Sequence, residues 1–168
     1  MTDTLNSFLT FRLGDELFAA NVGKVIEILE LPKVTKVPRS PDFMRGVVNL
    51  RGNVLSVIDS RTKFGLPQAP DTINTCIIVM IINVDGQKVT LGVIVDAVQE
   101  VMEIEDSQMQ DMPSIGSKYK AEFIDGMVKQ DDQFIMILNI DTLFSSNEVS
   151  LLNDIASTVS EDASGKSK

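Results

Sequence analysis

The sequence predicts an all-β protein made of two small five-stranded barrels that share a hydrophobic core, with short helices and a C-terminal helix. Three observations carry this prediction. Val and Ile dominate the apolar residues over aromatic residues, which favours strands. Short apolar runs are separated by two-residue polar breaks that are typical of β-hairpins. One stretch of the chain, residues 42–64, is repeated with changes as residues 122–144.

Each half of the chain begins with a predicted hairpin. In the first half two apolar runs flank Gly14-Asp15, and in the second half two longer runs flank Asp85-Gly86. Asp-Gly between apolar runs is a strong hairpin signal. The residues after each hairpin predict a short amphipathic helix or an extended piece. The longest run, CIIVMIINV, is too short to span a bilayer as a helix and indicates a buried strand.

A second hairpin follows in each half, and these two hairpins form the repeat. Five aligned pairs are identical: Phe43/Phe123, Gly46/Gly126, Val48/Val128, Thr62/Thr142 and Phe64/Phe144. Any two hairpins with buried strands look somewhat alike, but identity at fixed offsets favours internal duplication. About five strands in each half are enough to close a small barrel, and closure removes exposed sheet edges.

The two halves are predicted to form one domain. Residues 1–160 are interpreted as a single domain of two interleaved barrel subdomains, and residues 161–168 as a flexible tail. Ser145 and Glu148 match a capping box at the start of the C-terminal helix. Apolar residues then follow at helical spacing, namely Val149, Leu152, Ile155 and Val159.

Composition argues against several classes of function. The chain carries 15 Lys and Arg against 24 Asp and Glu, and a net charge of −9 repels nucleic acid and anionic lipid. It has no histidine, which removes the commonest general base and zinc ligand, so an enzyme is less expected, although carboxylate or lysine chemistry stays open, and we expect no metal and no cofactor. A secretory signal is absent, and Cys76 is the only cysteine, which indicates a cytoplasmic location.

Charge is distributed unevenly along the chain. Residues 24–63 contain eight Lys or Arg against four acidic residues, whereas residues 91–117 contain six acidic residues and no basic one. Opposed charges on one surface suit selective docking between proteins. Chance variation on a solvated surface is the alternative, and the sequence alone does not decide between the two.

Arg51 stands out among the polar residues. It lies at the predicted tip of a hairpin, in the polar break formed by residues 49–53. A planar guanidinium on a rigid turn can bind a carboxylate through two hydrogen bonds. A solvated turn residue is the simpler interpretation, because hairpin tips are exposed to water.

The stretch FMRGVVNLRGNVLSVID resembles the signature of the CheW family of bacterial chemotaxis coupling proteins. That signature is an Asn-Leu-Arg-Gly turn between two strands, then an Asp at the strand end and the pattern R-x-x-F. Residues 49–52, Asp59, Arg61 and Phe64 match it. The resemblance runs from about Phe8 to Leu152, includes a first hairpin followed by a helix, and implies two SH3-like or OB-like barrels.

The resemblance also implies a non-enzymatic scaffold or adaptor. Such proteins couple the cytoplasmic tip of chemoreceptors (methyl-accepting chemotaxis proteins) to the regulatory domain of the histidine kinase CheA. They are cytoplasmic, join membrane-associated receptor arrays and do not insert into the membrane. The receptor-binding positions that the resemblance implies are Val25, Gly46, Arg51, Cys76 and Val101. The implied kinase-binding positions are Val34, Val37 and Val54, although hydrophobic strand residues can equally belong to the core.

Departures from the family pattern leave partner preference open. The family commonly has proline at Ser56, leucine at Ser60 and a β-branched residue at Cys76. A coupling protein of a non-flagellar system, such as twitching motility, is therefore an alternative. A small nucleic-acid-binding barrel would need aromatic platforms and a basic groove, but the chain has one Tyr and no Trp. A carboxylate-based hydrolase would need a pocket that the sequence does not indicate.

Overall fold

The computed structural model describes residues 7–111 and 123–166. Within them the chain forms ten strands and two helices in this order: β1 (Ser7–Leu13), β2 (Glu16–Asn21), β3 (Val25–Glu30), β4 (Met44–Leu50), β5 (Asn53–Asp59), α1 (Ser60–Phe64), β6 (Cys76–Val84), β7 (Gln87–Val95), β8 (Ala97–Glu103), β9 (Ile124–Gln130), β10 (Gln133–Leu138) and α2 (Ser146–Lys166). Neither of these helices has the length and apolar character that crossing a membrane requires. The first residue of the second repeat copy, residue 122, lies outside the described part.

The strands form two five-stranded sheets that exchange hairpins between the halves of the chain. Sheet A has the order β8-β1-β2-β10-β9, and sheet B has the order β3-β6-β7-β5-β4. The two first hairpins, β1–β2 and β6–β7, pair in parallel with β10 and β5 of the opposite half. Each sheet therefore combines the first hairpin of one half with the second hairpin of the other. This architecture confirms the predicted all-β fold class.

The central strands, such as β6 and β7, are buried on both faces, which explains their continuous apolar runs. On β6, Ile77 and Val79 pack inside sheet B, whereas Ile78 and Met80 face a cluster to which both sheets contribute. On β2, Ala19 packs inside sheet A and its neighbours face the same shared cluster. Alternating side chains thus fill three layers, and the shared core predicted from sequence is confirmed.

The segment after the first hairpin takes the extended form, one of the two predicted alternatives, and not the helix that the resemblance implies. A single 3-10 turn, Val22–Lys24, is closed by the Asn21 side chain, which accepts a hydrogen bond from Gly23 N at 2.8 Å. The chain then continues as the edge strand β3, which pairs with β6. Half-buried and exposed side chains alternate along β3, and this period of two suits an edge strand rather than a helix.

Equivalent contacts occur in the two copies of the repeat. Asp59 N donates to Phe43 O at 2.7 Å, and at the matching positions Asn139 N donates to Phe123 O at 2.8 Å. Both side chains also cap the helical turn that follows, since each accepts a backbone hydrogen bond from it. These matching contacts support the internal duplication proposed from sequence.

The C-terminal helix α2 begins at the predicted capping box. Glu148 N donates to Ser145 Oγ at 3.1 Å, and Ser145 N donates to Glu148 Oε1 at 2.9 Å. Val149 and Leu152 are buried in the shared core, which fixes the helix against both sheets. The backbone remains helical to Lys166, and the side chain of Val159 lies outside the described part.

Lys63 joins the two helices where the repeat copies meet. Its Nζ lies 2.9 Å from a Glu148 carboxylate oxygen and 4.8 and 4.9 Å from the ring centres of Phe43 and Phe144. Burial raises the pKa of Glu148, but the hydrogen bonds from Lys63 and Ser145 outweigh this effect, so the net pKa is lowered. An ammonium group over aromatic faces and beside a carboxylate stabilises this junction.

Candidate functional site

The matched signature residues after the turn hold the fold together. Asp59 caps α1, as its Oδ1 accepts hydrogen bonds from Arg61 N at 3.0 Å and Thr62 N at 3.4 Å. Arg61 forms an ion pair with Asp96, and Phe64 is buried in the shared core. These three side chains point into the molecule, so partners cannot reach this second part of the signature.

The first part of the signature is an exposed turn, residues 49–52, in which the Arg51 side chain is 69% exposed. Arg51 occupies the first position of the β4–β5 turn with a φ of +52°, followed by Gly52 with a φ of +87°. Gly, Asn and Asp are preferred at such positions, and Asp85 and Asp131 occupy them in two other hairpins. An arginine that accepts an unfavourable backbone conformation indicates that its side chain has a use.

Glu27 on β3 binds the Arg51 guanidinium through two hydrogen bonds of 2.7 and 2.8 Å. The simpler interpretation of Arg51 as a solvated turn residue is therefore incomplete. Strands β3 and β4 are the two outer strands of sheet B, so the pair connects opposite edges of that sheet. Sequence reasoning missed Glu27, although a carboxylate flanked by two isoleucines in VIEILE was a visible signal.

The hydrogen bond from Arg51 holds the pKa of Glu27 below its ordinary value. Because the folded-state pKa is lowered, this pair stabilises the fold above the unfolded pKa of Glu27 and loses that effect as pH falls through the folded pKa. In Arg51→Met we expect the pKa of Glu27 to rise, as measured by NMR titration of its side-chain carboxyl. An unchanged pKa would show that the pair does not form in solution.

Three other implied receptor positions lie on three different strands, namely Val25 on β3, Cys76 on β6 and Val101 on β8. Val25 begins β3 and is half-buried. Cys76 begins β6 and pairs with Glu30 at the far end of β3, and its thiol is hydrogen-bonded to the backbone of Val98 on β8. Burial raises the pKa of the Cys76 thiol. Val101 lies three residues further along β8, with 60% of its surface exposed.

Two exposed isoleucines on β3 add apolar surface that sequence reasoning did not identify. Ile26 is 51% exposed and Ile28 is 46% exposed. They alternate with the paired Glu27 along the edge strand, so apolar and charged groups stand close together. Strand β3 therefore offers both apolar contact area and a guanidinium–carboxylate pair, a combination found in protein interfaces.

Gly46 lies apart from these residues and is buried. A Cβ atom there would lie 2.2 Å from Thr35 O and 2.8 Å from Thr35 C. Thr35 and Val47 exchange two backbone hydrogen bonds of 2.8 Å beside it. The close backbone approach at Gly46 is thus made by the chain itself, and a receptor contact at this position stays a prediction.

The three implied kinase positions are half-buried. Val34 packs against the cluster inside sheet B, and Val37 and Val54 pack against the shared core. Much of their apolar surface is therefore used within the protein. Their role in binding a kinase stays a prediction.

The uneven charge distribution is partly neutralised within the fold. Five basic residues of the segment 24–63 form ion pairs: Lys24–Asp141, Arg45–Asp59 and Arg45–Asp71, Arg51–Glu27, Arg61–Asp96 and Lys63–Glu148. The other three, Lys33, Lys36 and Arg39, are exposed and form no ion pair with any residue in the described ranges. Across those same ranges, no group of three His, Cys, Asp or Glu side chains could hold a metal ion.

Comparison with known proteins gives one consistent result. A family model described as CheW-like domain matches residues 7–148. Chemotaxis protein CheW from Klebsiella aerogenes is 33% identical over 149 residues, which are 89% of this chain and 87% of that protein. A probable chemotaxis protein CheW from Rhizobium etli is 34% identical over 140 residues, which are 83% of this chain and 88% of that protein. The crystal structure of the scaffolding protein TtCheW from Thermoanaerobacter tengcongensis has a TM-score of 0.74 at 32% identity, covering 85% of this chain and 90% of that one.

Proposed function

The chain belongs to the CheW family, and from this premise we propose that it is a non-enzymatic adaptor coupling chemoreceptors to the histidine kinase CheA. Similarity to chemotaxis and scaffolding proteins over most of the chain supports this proposal. The adaptor acts in the cytoplasm, at membrane-associated receptor arrays. It needs two separate surfaces, one for the receptor tip and one for the regulatory domain of the kinase.

The receptor surface is proposed to be the β3 side of sheet B, with Cys76 and Val101 beside it. The observation that carries this assignment is the exposed Arg51. It occupies a turn position that disfavours arginine, and its guanidinium donates two hydrogen bonds to the Glu27 carboxylate. Receptor docking would cover Ile26 and Ile28 and exclude water from the ion pair. Excluding water strengthens the interaction of a charged pair with a polar partner.

We expect Arg51→Glu to weaken binding to the cytoplasmic fragment of a chemoreceptor at least tenfold, about 1.4 kcal/mol. The substitution places a second carboxylate beside Glu27, and repulsion replaces a bidentate contact. Isothermal titration calorimetry with the receptor fragment and, separately, with CheA measures both affinities. Kinase affinity should be unchanged, because the two surfaces are separate.

A charge swap separates recognition of Arg51 from a purely internal role. The double variant Glu27→Arg with Arg51→Glu re-forms the ion pair with reversed positions. If the pair only holds the β4–β5 turn in place, the swap should restore receptor binding. If the receptor contacts Arg51, binding should stay weak, and restored binding would contradict the assignment.

Cys76 provides a footprint of the same surface, because it is the only cysteine of the chain. Its half-buried thiol with a raised pKa should react slowly with iodoacetamide at pH 8, since the thiolate is the nucleophile. Bound receptor fragment should slow the reaction further, as followed by mass spectrometry. Equal rates with and without receptor would place Cys76 outside the contact.

The same two surfaces would serve a non-flagellar output, so the proposal covers that alternative as well. Nucleic-acid binding is disfavoured by the fold, since Lys24, Arg45, Arg61 and Lys63 are used in ion pairs. Their charge is unavailable for a continuous phosphate-binding groove. An oligonucleotide titration at low salt is expected to show no binding.

A further inference from the structure

Two ion pairs occupy equivalent places in the two halves of the molecule. The repeat aligns Arg61, in α1, with Asp141, in the 3-10 turn Ile140–Thr142 that follows β10. Lys24 and Asp96 are equivalent too, because each is the residue directly before an edge strand, β3 or β8. Arg61 pairs with Asp96, and Lys24 pairs with Asp141. Each ion pair therefore joins the first half of the chain to the second half.

The register of the parallel strands places these residues side by side. Strands β5 and β7 are parallel neighbours, and their register, continued past the strand ends, brings Arg61 to Asp96. Strands β10 and β2 are parallel neighbours in the same way, and their register brings Asp141 to the turn that ends at Lys24. The residue that follows a first hairpin thus meets the residue that follows the parallel partner strand of that hairpin.

Both contacts are close and partly shielded from water. Arg61 Nε lies 3.1 Å from Asp96 Oδ1, and Lys24 Nζ lies 2.8 Å from Asp141 Oδ2. Each of the four side chains is at most 33% exposed. Each aspartate also accepts a backbone hydrogen bond, 2.7 or 2.8 Å long, from a first hairpin. Partial burial strengthens the attraction of opposite charges and also the repulsion that like charges would produce there.

The two ion pairs have opposite polarity, although their places are equivalent. The residue that follows the first hairpin is a cation in the first half, Lys24, and an anion in the second half, Asp96. The residue that meets it is likewise a cation in the first half, Arg61, and an anion in the second half, Asp141. A first hairpin therefore finds an opposite charge only in a half of the other kind. In a half of its own kind it would bring together two cations or two anions.

Chain connectivity requires the first hairpins to leave their own half but does not choose their partner. A single residue, Asp96, connects β7 to β8, so the ends of these two strands are at most about 7 Å apart. To join its own hairpin, β8 would have to pair with β6 on the side away from β7, about 10 Å or two strand spacings from β7. The hairpin β6–β7 must therefore enter another half, either the first half of the same chain or the second half of another copy. Burial does not choose between them, because apolar residues line the first hairpins of both halves.

We propose that the opposite polarity of the two ion pairs selects the partner of each first hairpin, so that unlike halves assemble and like halves repel each other. Specificity of this kind comes from the penalty on the wrong pairing as well as from the attraction in the right one. The loop between the halves then favours partners from the same chain, because it raises their effective concentration. An adaptor with two different surfaces depends on this selection, since pairing of like halves would duplicate one barrel and omit the other.

The test exchanges the charges within the ion pairs, so that the net charge and the number of ion pairs stay the same. Lys24→Asp with Asp141→Lys gives the two pairs the same polarity, and Arg61→Asp with Asp96→Arg does so from the other side. Combining all four substitutions restores opposite polarity, and this fourfold variant is the matched control.

The measured quantity is the fraction of like-half assembly, defined as two or more copies in which halves of the same kind share a barrel. Each full-length protein is unfolded in urea, refolded at high protein concentration and then diluted. Size-exclusion chromatography with light scattering measures the fraction that stays larger than a monomer, and circular dichroism shows that it is folded. Like-half assemblies persist on dilution, because their separation requires a barrel to open.

Each single charge exchange is expected to raise the fraction of like-half assembly at least threefold above wild type, because like halves then meet opposite charges. The fourfold variant should return to the wild-type fraction, although it removes both aspartates that accept backbone hydrogen bonds. If the ion pairs only stabilised the fold, the fourfold variant would be the most disturbed protein and would form the most assembly. That result, or equal fractions in all four proteins, would overturn the inference.

A milder variant decides the question if the charge exchanges do not fold. Lys24→Gln with Asp141→Asn removes the charges of one pair and keeps an oxygen that accepts the hydrogen bond from Asn83 N. Because the repulsion is lost at one of the two places, the fraction of like-half assembly should rise above that of wild type. A fraction no higher than in wild type would contradict selection by charge. The outcome is independent of the proposed function, since neither receptor nor kinase is present.

Discussion

Replacing Gly46 by alanine is expected to destabilise the protein by about 3 kcal/mol, more than typical surface substitutions. The added Cβ would meet Thr35 O at 2.2 Å and Val34 Cγ1 at 2.9 Å, so residues 34–35 must move away from β4. That movement breaks the two hydrogen bonds between Thr35 and Val47. Urea denaturation measures the loss, and hydrogen exchange at these two amides locates it.

Gly52→Ala is the matched control for this substitution. Gly52 also has a positive φ, at +87°, but no atom lies within 4 Å of the position of an added Cβ. Its replacement therefore adds only the backbone strain of a turn, about 1 kcal/mol. If Gly46→Ala were as stable as Gly52→Ala and lost receptor binding alone, Gly46 would serve the partner and not the fold.

Arg61→Met is expected to cost about 2 kcal/mol of stability, because it leaves a partly buried carboxylate without its main partner. Arg61 Nε lies 3.1 Å from Asp96 Oδ1, its Nη2 pairs with Asp96 Oδ2, and its Nη1 donates to Pro67 O at 2.8 Å. Asp96 also accepts a hydrogen bond of 2.7 Å from Gly14 N. The arginine thus links α1, the loop after it and the β1–β2 turn of the other sheet.

Arg51→Met is the matched comparison for Arg61→Met. It removes the same kind of contact, two hydrogen bonds from a guanidinium to a carboxylate, but at an exposed position. Surface ion pairs contribute little to stability, so the melting temperature should change by only a degree or so. Arg61→Met should lower it by about 5 °C for a chain of this size. Equal changes in the two variants would contradict the view that Arg61 is structural and Arg51 functional.

The hairpins could be predicted from sequence because each signal is local. Two-residue turns between apolar runs fix both the strands and their register, as at Asp85-Gly86. The partner of each hairpin is not locally encoded, since both halves carry the same hairpin pattern and either pairing buries the same residues. The residues left a short helix or an extended piece open for segment 25–30, because pairing with β6, which makes it an edge strand, is not locally encoded.

The functional site was only partly predictable for a related reason. Arg51 was identified from its unusual turn position and its motif, both of which are local. Glu27 lies 24 residues earlier in the chain, and only the closing of sheet B brings it to Arg51. Gly46 was given as a receptor position through the family resemblance, and the sequence does not show which backbone approaches it within the fold. Thr35 supplies that backbone.

The most direct test of the central claim is whether receptor fragment and CheA bind this protein at the same time. Purified components are mixed, and the mass of each complex is measured by size-exclusion chromatography with light scattering. Wild type is expected to give a ternary complex, whereas Arg51→Glu should retain the kinase and lose the receptor. Mutually exclusive binding of the two partners, or binding of neither, would contradict an adaptor with two separate surfaces.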